Sequence, residues 1–379
     1  MQTHSRSIAW LTPDYFFPVD ARIVPELAKY YSIDWILIKT LNSQRSCDGL
    51  LSNDFQPRAF TLRYRQRDPR VIVQYTELLS SIRKSGADLL YTSFHGLPYF
   101  FPVLSLLIDH DRLIYAVHNV HTPRGASNEW AMRIYQRYAF AAAKRFHVFS
   151  KNQLRTISRL LPRKRHYYAP LATDDYGPSS AVPPADKIRF LSFGYIRRYK
   201  RLDLLIRAFQ RLRAEGIRNI ELLIAGRCDH WGEYESLIQD TPGIVVRAGL
   251  VPNRDIPDLV ASSHYLVLPY QDSAQSAVVT LAYQYHKPVI ASNIEAFADA
   301  VVPGSTGYLF DNLSVDSLTA VMKNVIARHH TMYEPLTEQV RRYVAAEYSI
   351  DHIVWRYIAF LDEALETASS SMHPAHEPV

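Results

Sequence analysis

Cysteine and long apolar runs are scarce in this 379-residue chain, and each shortage argues against a class of protein. Only Cys47 and Cys228 occur, which disfavours a disulfide scaffold and a cysteine zinc site and fits a reducing compartment. The N-terminal stretch lacks the apolar core of a secretory signal. The longest apolar run, residues 97–108, contains two prolines and is too short to span a bilayer. We therefore expect a cytosolic protein.

The balance of charge is basic, with a formal net charge of +6. Arginines collect in one stretch around residues 58–70 and in another at residues 159–168. Such stretches suit phosphorylated substrates, anionic lipid or nucleic acid, or they form an ordinary solvated face. No helix-turn-helix, zinc-finger or RNA-binding signature accompanies them, so nucleic acid is the least favoured partner.

Short apolar segments alternate with helical patterns in both halves of the chain. The segments at residues 7–11, 33–38, 87–93, 112–119 and 145–150 predict strands of one domain. Those at residues 188–194, 220–226, 244–249, 265–270 and 288–292 predict strands of a second. Continuous apolar strands between helices are typical of parallel, doubly wound α/β sheets. Residues 176–187, rich in proline and serine, read as the linker, and a helix at residues 351–368 precedes a polar tail over 369–379 that we expect to be disordered.

Cations and a helix start follow the strands of the second half. Arg197 and Lys200 come after strand 188–194, Gly226 ends the next strand, and a polar loop from Asp272 leads into a helix near Ala277. In open α/β sheets, ligands bind where strands end and helices begin. Cations beside a free helix N-terminus suit a phosphate-bearing ligand.

Five segments of the second half carry a family resemblance. In order they are "FLSFGYIRRYKRLDLLIRAF", "ELLIAG", "VVRAGLVPNRDIPDLVASSHYLVLPY", "LAYQYHKPVIAS" and "DAVVPGSTGYLF". Together they resemble the nucleotide-sugar domain of the family-4 glycosyltransferases over about residues 188–327. The first half is similar more loosely, through "AVHNVHTP" and "HVFSKNQ", and the last helix resembles the one that crosses back to the N-terminal domain in that family.

The resemblance implies the GT-B fold, in which two Rossmann-like domains present parallel sheets to a cleft. It implies an acceptor-binding domain over residues 1–175, a nucleotide-sugar domain over 188–350 and a crossing helix over 351–368. It also implies transfer of a sugar from a nucleotide diphosphate sugar to a saccharide or lipid-linked saccharide, with retention of anomeric configuration. No cofactor and no metal ion are expected, and His329 with His330 lacks further ligands at metal spacing.

In that family a glycine, an arginine and a lysine after the first strand of the domain hold the diphosphate. Gly194 and Lys200 match by spacing, whereas Tyr195 stands where the arginine is expected and Arg197 is its predicted substitute. Charge grows on the leaving diphosphate in the transition state, so fixed cations there favour reaction. Gly226 and Asp299 are further predicted donor contacts.

Two glutamates that the family usually carries are absent. Their positions fall on Ser273 and Leu281, and no carboxylate occurs between Asp272 and Glu295. Two interpretations remain open. Either the donor binds through other residues of the loop and helix start, or the protein binds the nucleotide sugar without catalysing transfer. The residues for the first interpretation are Asp272, Gln275, Ser276 and Ala277.

In the first half, His118 follows a strand and is predicted to hydrogen-bond a substrate hydroxyl as part of catalysis. Asp14 and Asp20 follow the first strand and are predicted acceptor contacts. A different GT-B enzyme, an inverting transferase or an epimerase, would need one of these three side chains as its base. The basic stretches 58–70 and 129–146 suit an anionic membrane surface that presents a lipid-linked acceptor for surface polysaccharide synthesis.

Overall fold

The computed structural model describes residues 6–41, 55–120, 129–172, 176–238, 241–273 and 277–372. The chain divides into two compact units. The first unit combines residues 1–172 with residues 350–379, and the second consists of residues 173–349. The C-terminal segment thus belongs to the same unit as the N-terminal half.

A sheet of seven parallel strands forms the centre of the first unit. Its strand order is β3-β2-β1-β4-β5-β6-β7. The strands are β1 (Ser7–Pro13), β2 (Ser32–Lys39), β3 (Arg58–Thr61), β4 (Leu89–Thr92), β5 (Leu113–Val117), β6 (Arg145–Val148) and β7 (Arg165–Tyr168). The helices are α1 (Phe17–Leu27), α2 (Val71–Ser85), α3 (Phe100–Leu107), α4 (Glu129–Ala142) and α5 (Lys151–Leu160).

The second unit contains a six-stranded parallel sheet in the order β10-β9-β8-β11-β12-β13. Its strands are β8 (Ile188–Phe193), β9 (Ile220–Gly226), β10 (Ile244–Ala248), β11 (Tyr265–Leu268), β12 (Val289–Ser292) and β13 (Gly307–Phe310). Its helices are α6 (Leu202–Ala214), α7 (Gly232–Ile238), α8 (Ile256–Ala261), α9 (Ala277–Gln284), α10 (Glu295–Ala298) and α11 (Val315–Glu347). The predicted pair of parallel α/β sheets is confirmed.

Three strands were not predicted, and all three lie at sheet edges. β3 ("RAFT") and β7 ("RHYY") close the two ends of the first sheet, and β13 closes one end of the second. β3 and β7 carry polar and charged side chains, so they lack the continuous apolar run of a central strand. β13 ("GYLF") is only four residues long and begins with glycine, which strands rarely contain. α11 continues through Pro335, because Leu336 and Val340, which follow the proline, are buried in the two apolar cores of the second unit.

The last helix, α12 (Ile350–Met372), packs on the sheet of the first unit. Its buried side chains recur every three or four residues, which is the spacing of one helix face. They join α1 in a single apolar core, and the Tyr357 ring lies 5.9 Å from that of Trp10 in β1. The buried positions are Ile353, Val354, Tyr357, Phe360, Leu361, Ala364, Leu365 and Ala368.

The packing of α12 predicts that substitutions on its buried face lower the free energy of unfolding far more than substitutions on its exposed face. Leu361 is fully buried, so Leu361→Ala should lower the free energy of unfolding by about 2–5 kcal/mol through lost burial and a cavity. Trp355 on the same helix is 63% exposed, so Trp355→Ala should change that free energy by no more than about 0.5 kcal/mol. Urea denaturation followed by circular dichroism measures both, and equal effects would contradict this packing.

Candidate functional site

Two glycines bring the ends of β8 and β9 into close contact. Gly194 and Gly226 both have positive φ, 99° and 146°. A Cβ atom on Gly226 would lie 2.1 Å from the carbonyl oxygen of Gly194, closer than any side chain permits. The backbone turn after β8 therefore stays open to a ligand, since no side chain at either glycine covers it.

The side chain of Lys200 lies over the Gly194 turn. A short 3₁₀ turn, Arg198–Lys200, follows the glycine, and the Lys200 ammonium lies 3.3 Å from where a Cβ on Gly194 would be. The same ammonium is 5.0 Å from the ring centroid of Tyr270, at the end of β11. The amine is thereby fixed at the carboxyl edge of the sheet between a glycine backbone and an aromatic face.

The N-terminus of α9 reaches the same point. A Val278 methyl group, in the first turn of the helix, lies 3.8 Å from the Cβ position of Gly194. The loop before α9 is tied to the Lys200 turn, because the Gln271 N–H donates to the Tyr199 carbonyl at 2.7 Å. Backbone N–H groups of a first helical turn attract anions. Lys200, Gly194 and the start of α9 at Ala277 thus converge, with Asp272 exposed in the joining loop.

The cationic residues of this loop are of two kinds, those paired with a carboxylate and those that are not. Arg198 forms an ion pair with Glu233, and Arg201 forms one with Asp203 at 2.8 Å. Among the side chains that the structure describes, neither Arg197 nor Lys200 has a carboxylate within ion-pair distance. Two uncompensated positive charges therefore lie at this edge, and a bound anion would neutralise them.

The environment of Lys200 also changes its acidity. Burial, and to a lesser extent the nearby charge of Arg197, lowers the pKa of Lys200 to about 8. An ammonium that has lost much of its hydration gains more from a bound phosphate than an exposed one does. The group remains mostly protonated at neutral pH and is poised to lose its proton in mildly alkaline solution.

Of the remaining residues that were predicted to bind the donor, the structure describes only Asp299. Gln275 and Ser276 lie outside the described residues. Asp299 is half-buried directly after α10. Leu281, at one missing glutamate position, is 5% exposed and belongs to an apolar core of the unit, so that position contributes packing.

In the first unit, His118 lies in an aromatic setting at the end of β5. Its ring is 4.4 Å from that of Phe16, stacks on Phe149 at 5.4 Å and is 5.4 Å from His95. Burial is the main cause that holds the pKa of His118 well below its usual value and lowers that of His95 to about 4. Both imidazoles are therefore neutral at pH 7. Nε2 of His118 is buried without a hydrogen-bond partner among the described residues.

The two predicted acceptor carboxylates have partners inside the first unit. Asp14 accepts from the Thr40 N–H at 3.0 Å and from its hydroxyl at 2.8 Å. Asp20 is completely buried and accepts from Trp10 Nε1 at 3.1 Å and from the Thr12 hydroxyl at 2.6 Å. Burial raises the pKa of Asp20 to about 7. These contacts fix the loop after β1, and an acceptor role for either residue stays a prediction.

Sequence reasoning missed three aromatic contributions to these sites. Tyr270 faces Lys200, Tyr195 lies beside Arg197 at 4.5 Å, and Tyr15 is 42% exposed with its ring 5.7 Å from His118. The abundance of tyrosine, 25 residues, was the only available signal, and it does not say which rings line a site. Among the described residues no group of three or more His, Cys, Asp or Glu side chains is arranged to hold a metal ion.

Solved structures of other proteins share the fold of this chain. A glycosyltransferase from Rickettsia africae ESF-5 superposes with a TM-score of 0.74 at 16% identity, covering 95% of this chain and 99% of that one. Anabaena Alr3699/HepE in complex with UDP and glucose gives 0.72 at 15%, covering 94% and 100%. The lipopolysaccharide outer core galactosyltransferase WaaB gives 0.67 at 11%, covering 94% and 99%. No curated protein matches the chain.

These structural likenesses show the GT-B fold. Residues 187–328, less than half of the chain, match the family model described as "Glycosyl transferases group 1", so this part of the chain is similar to a glycosyltransferase domain. The matched range begins at β8 and includes the Gly194 turn, Lys200 and α9.

The pKa of Lys200 predicts how anion binding depends on pH. As pH rises through about 8, Lys200 loses its charge, so affinity for inorganic pyrophosphate should fall relative to Lys200→Arg, approaching about tenfold per pH unit. Calorimetric titrations between pH 7 and pH 9.5 measure this ratio. Lys323→Arg, which replaces an exposed lysine paired with Glu215, is the control and should follow the wild type. Parallel pH profiles for all three proteins would contradict the assignment.

Proposed function

We propose that the protein transfers a sugar from a nucleotide diphosphate sugar to a saccharide or lipid-linked saccharide. The observation that carries this proposal is the pair of uncompensated cations, Arg197 and Lys200, at an open glycine turn that meets the start of α9. A diphosphate supplies the negative charge that this edge lacks. The structural neighbour HepE, solved with UDP and with UDP-glucose, supports the choice of ligand.

The same residues suit the departure of the diphosphate. Negative charge grows on the leaving phosphate oxygens in the transition state, and cations fixed beforehand stabilise it without reorganisation. Lys200 and Arg197 would supply this charge, with backbone N–H groups of the Gly194 turn and of α9 adding hydrogen bonds. Because side chains neutralise the leaving group, we propose transfer that does not require a metal ion.

We further propose retention of anomeric configuration. In such a reaction, the acceptor hydroxyl attacks from the face that the diphosphate leaves, and its proton passes to a phosphate oxygen. A protein carboxylate is then not needed as a base, which is consistent with serine and leucine at positions 273 and 281. The neutral imidazole of His118 would hydrogen-bond a substrate hydroxyl through Nε2, the atom that has no partner among the described residues.

A subunit that binds a nucleotide sugar without transferring it is the second candidate. Leu281 favours it, because a buried leucine cannot replace a carboxylate that binds hydroxyl groups. The two candidates predict the same binding and differ in turnover.

We also propose that the first unit contacts an anionic membrane surface. In the described part of the chain, no helix is long and apolar enough to cross a membrane. Three adjacent helices, however, expose apolar side chains: Val73 in α2 (61%), Leu106 in α3 (83%) and Ile134 in α4 (61%). Exposed arginines accompany them, among them Arg70 and Arg137. Apolar side chains beside arginines are suited to the interface of an anionic bilayer.

A donor screen tests the proposed reaction. Thermal shifts with UDP, GDP, ADP and dTDP sugars, with nucleotide release followed in the same wells, should show stabilisation and slow release for one donor. Lys200→Ala and Arg197→Ala should each lower turnover by about 10²-fold, because each removes a charge contact to the transition state. Lys323→Ala serves as the control with unchanged turnover.

The outcomes of that screen separate the candidates. Stabilisation without release, even with saccharide acceptors present, would support the binding subunit. Release that is unaffected by either substitution would place the diphosphate elsewhere. Release abolished by EDTA would contradict metal independence, and inversion in the NMR spectrum of the glycoside product would contradict retention.

A vesicle assay tests the membrane surface. The protein should sediment with vesicles containing 1,2-dioleoyl phosphatidylglycerol at low salt, and Leu106→Glu should lower the bound fraction severalfold by burying a charge among lipid headgroups. Leu250→Glu changes a leucine that is 86% exposed in the second unit and is the matched control. Equal sedimentation of the two variants would contradict the proposed surface.

A further inference from the structure

Tyr195 lies beside two guanidinium groups. The Arg197 Cζ atom is 4.5 Å from the ring centroid, and the Arg227 Cζ atom is 5.6 Å from it. The Tyr195 hydroxyl donates to Asp229, and Arg227 Nε donates to the other oxygen of that carboxylate at 3.1 Å. Distances of this size between a guanidinium and a ring are cation–π contacts.

These four side chains lie on a two-stranded extension of the sheet. The β8–β9 register pairs Phe193 with Ala225, and the isolated bridge between Ile196 and Cys228 keeps the same offset beyond the strands. That offset pairs Tyr195 with Arg227 and Arg197 with Asp229. Alternation along a strand puts these two pairs on one side of the extension and the Ile196–Cys228 pair on the other. The side chains are therefore positioned by backbone pairing.

The charges in this group do not balance. The group contains two guanidiniums and one carboxylate, and that carboxylate pairs with Arg227 only. The charge of Arg197 is therefore in excess, and Lys200 adds a second positive charge within the same short loop. Arg227 engages Asp229 through Nε, and its two Nη groups have no partner among the described residues. A guanidinium whose Nε donates to a carboxylate still has two Nη groups, which can donate a pair of hydrogen bonds to phosphate oxygens.

We propose that Arg227 is a diphosphate-binding residue, which acts with Arg197 as a two-guanidinium clamp arranged around Tyr195. This inference rests on the proposed function. It adds Arg227, which follows β9, to the cations of the loop after β8. The clamp binds one phosphate while Lys200 and the start of α9 bind the other. The site thereby selects ligands with two linked phosphates over those with one, and Tyr195 positions the clamp without carrying charge.

Pyrophosphate and orthophosphate are the probes for the test. Calorimetry should show that wild-type protein prefers pyrophosphate, and Arg227→Ala should weaken pyrophosphate at least tenfold while changing orthophosphate much less. Arg254→Ala removes another exposed arginine of the second unit, one whose Nε lies 3.6 Å from Asp255, and is the control with unchanged binding. The thermal midpoint of each variant verifies folding.

A rescue variant separates binding from a merely structural role. Tyr195→Arg combined with Arg227→Ala returns a guanidinium to the same cross-strand pair, so pyrophosphate affinity should recover by at least severalfold over Arg227→Ala alone. Failure to recover, or Arg227→Ala binding like Arg254→Ala, would overturn the clamp. If Lys200→Ala still weakens pyrophosphate in that case, the proposed function survives without the clamp. Absence of pyrophosphate binding in the wild type would overturn both.

Discussion

The close approach of Gly194 to Gly226 is the constraint on which the candidate site depends. Any Cβ at Gly226 would occupy the space of the Gly194 carbonyl oxygen, so the two βα turns can lie together only as glycines. Because the turns are in contact, the Lys200 ammonium can lie against the backbone of the Gly194 turn. The same contact keeps the register of β8 and β9, which pairs residue 195 with residue 227. Backbone geometry thus brings the cations together, and a bound anion would reduce the electrostatic repulsion between them.

The two units differ in the charge of their candidate site residues. The second unit keeps Arg197 and Lys200 without carboxylate partners among the described residues, whereas the flanking arginines are paired. At the end of β5 in the first unit, burial makes His118 and His95 neutral. A charged edge suits a diphosphate, and a neutral imidazole suits a hydroxyl group. This division agrees with a reaction in which the leaving group carries the charge.

The central strands were predictable from the sequence, because a continuous apolar run such as "YLVL" of β11 indicates a strand that is buried on both faces of a sheet. The edge strands β3 and β7 were not, because their polar residues do not signal a strand, and β13 was not, because it is four residues long and begins with glycine. At the site, Gly194 and Lys200 were found by spacing in the chain. The pairing of Tyr195 with Arg227 was not, because it depends on the register between β8 and β9, which no local pattern encodes.

Hydrogen exchange measures the central claim, that the second unit binds a diphosphate at the Gly194 turn. Backbone amides of residues 194–200 and of the first turn of α9 should exchange more slowly when a nucleoside diphosphate is added to the wild-type protein. The same amides in Lys200→Ala should be unaffected at that concentration. Protection that instead appears at the opposite ends of the strands, or equally in both proteins, would contradict the account.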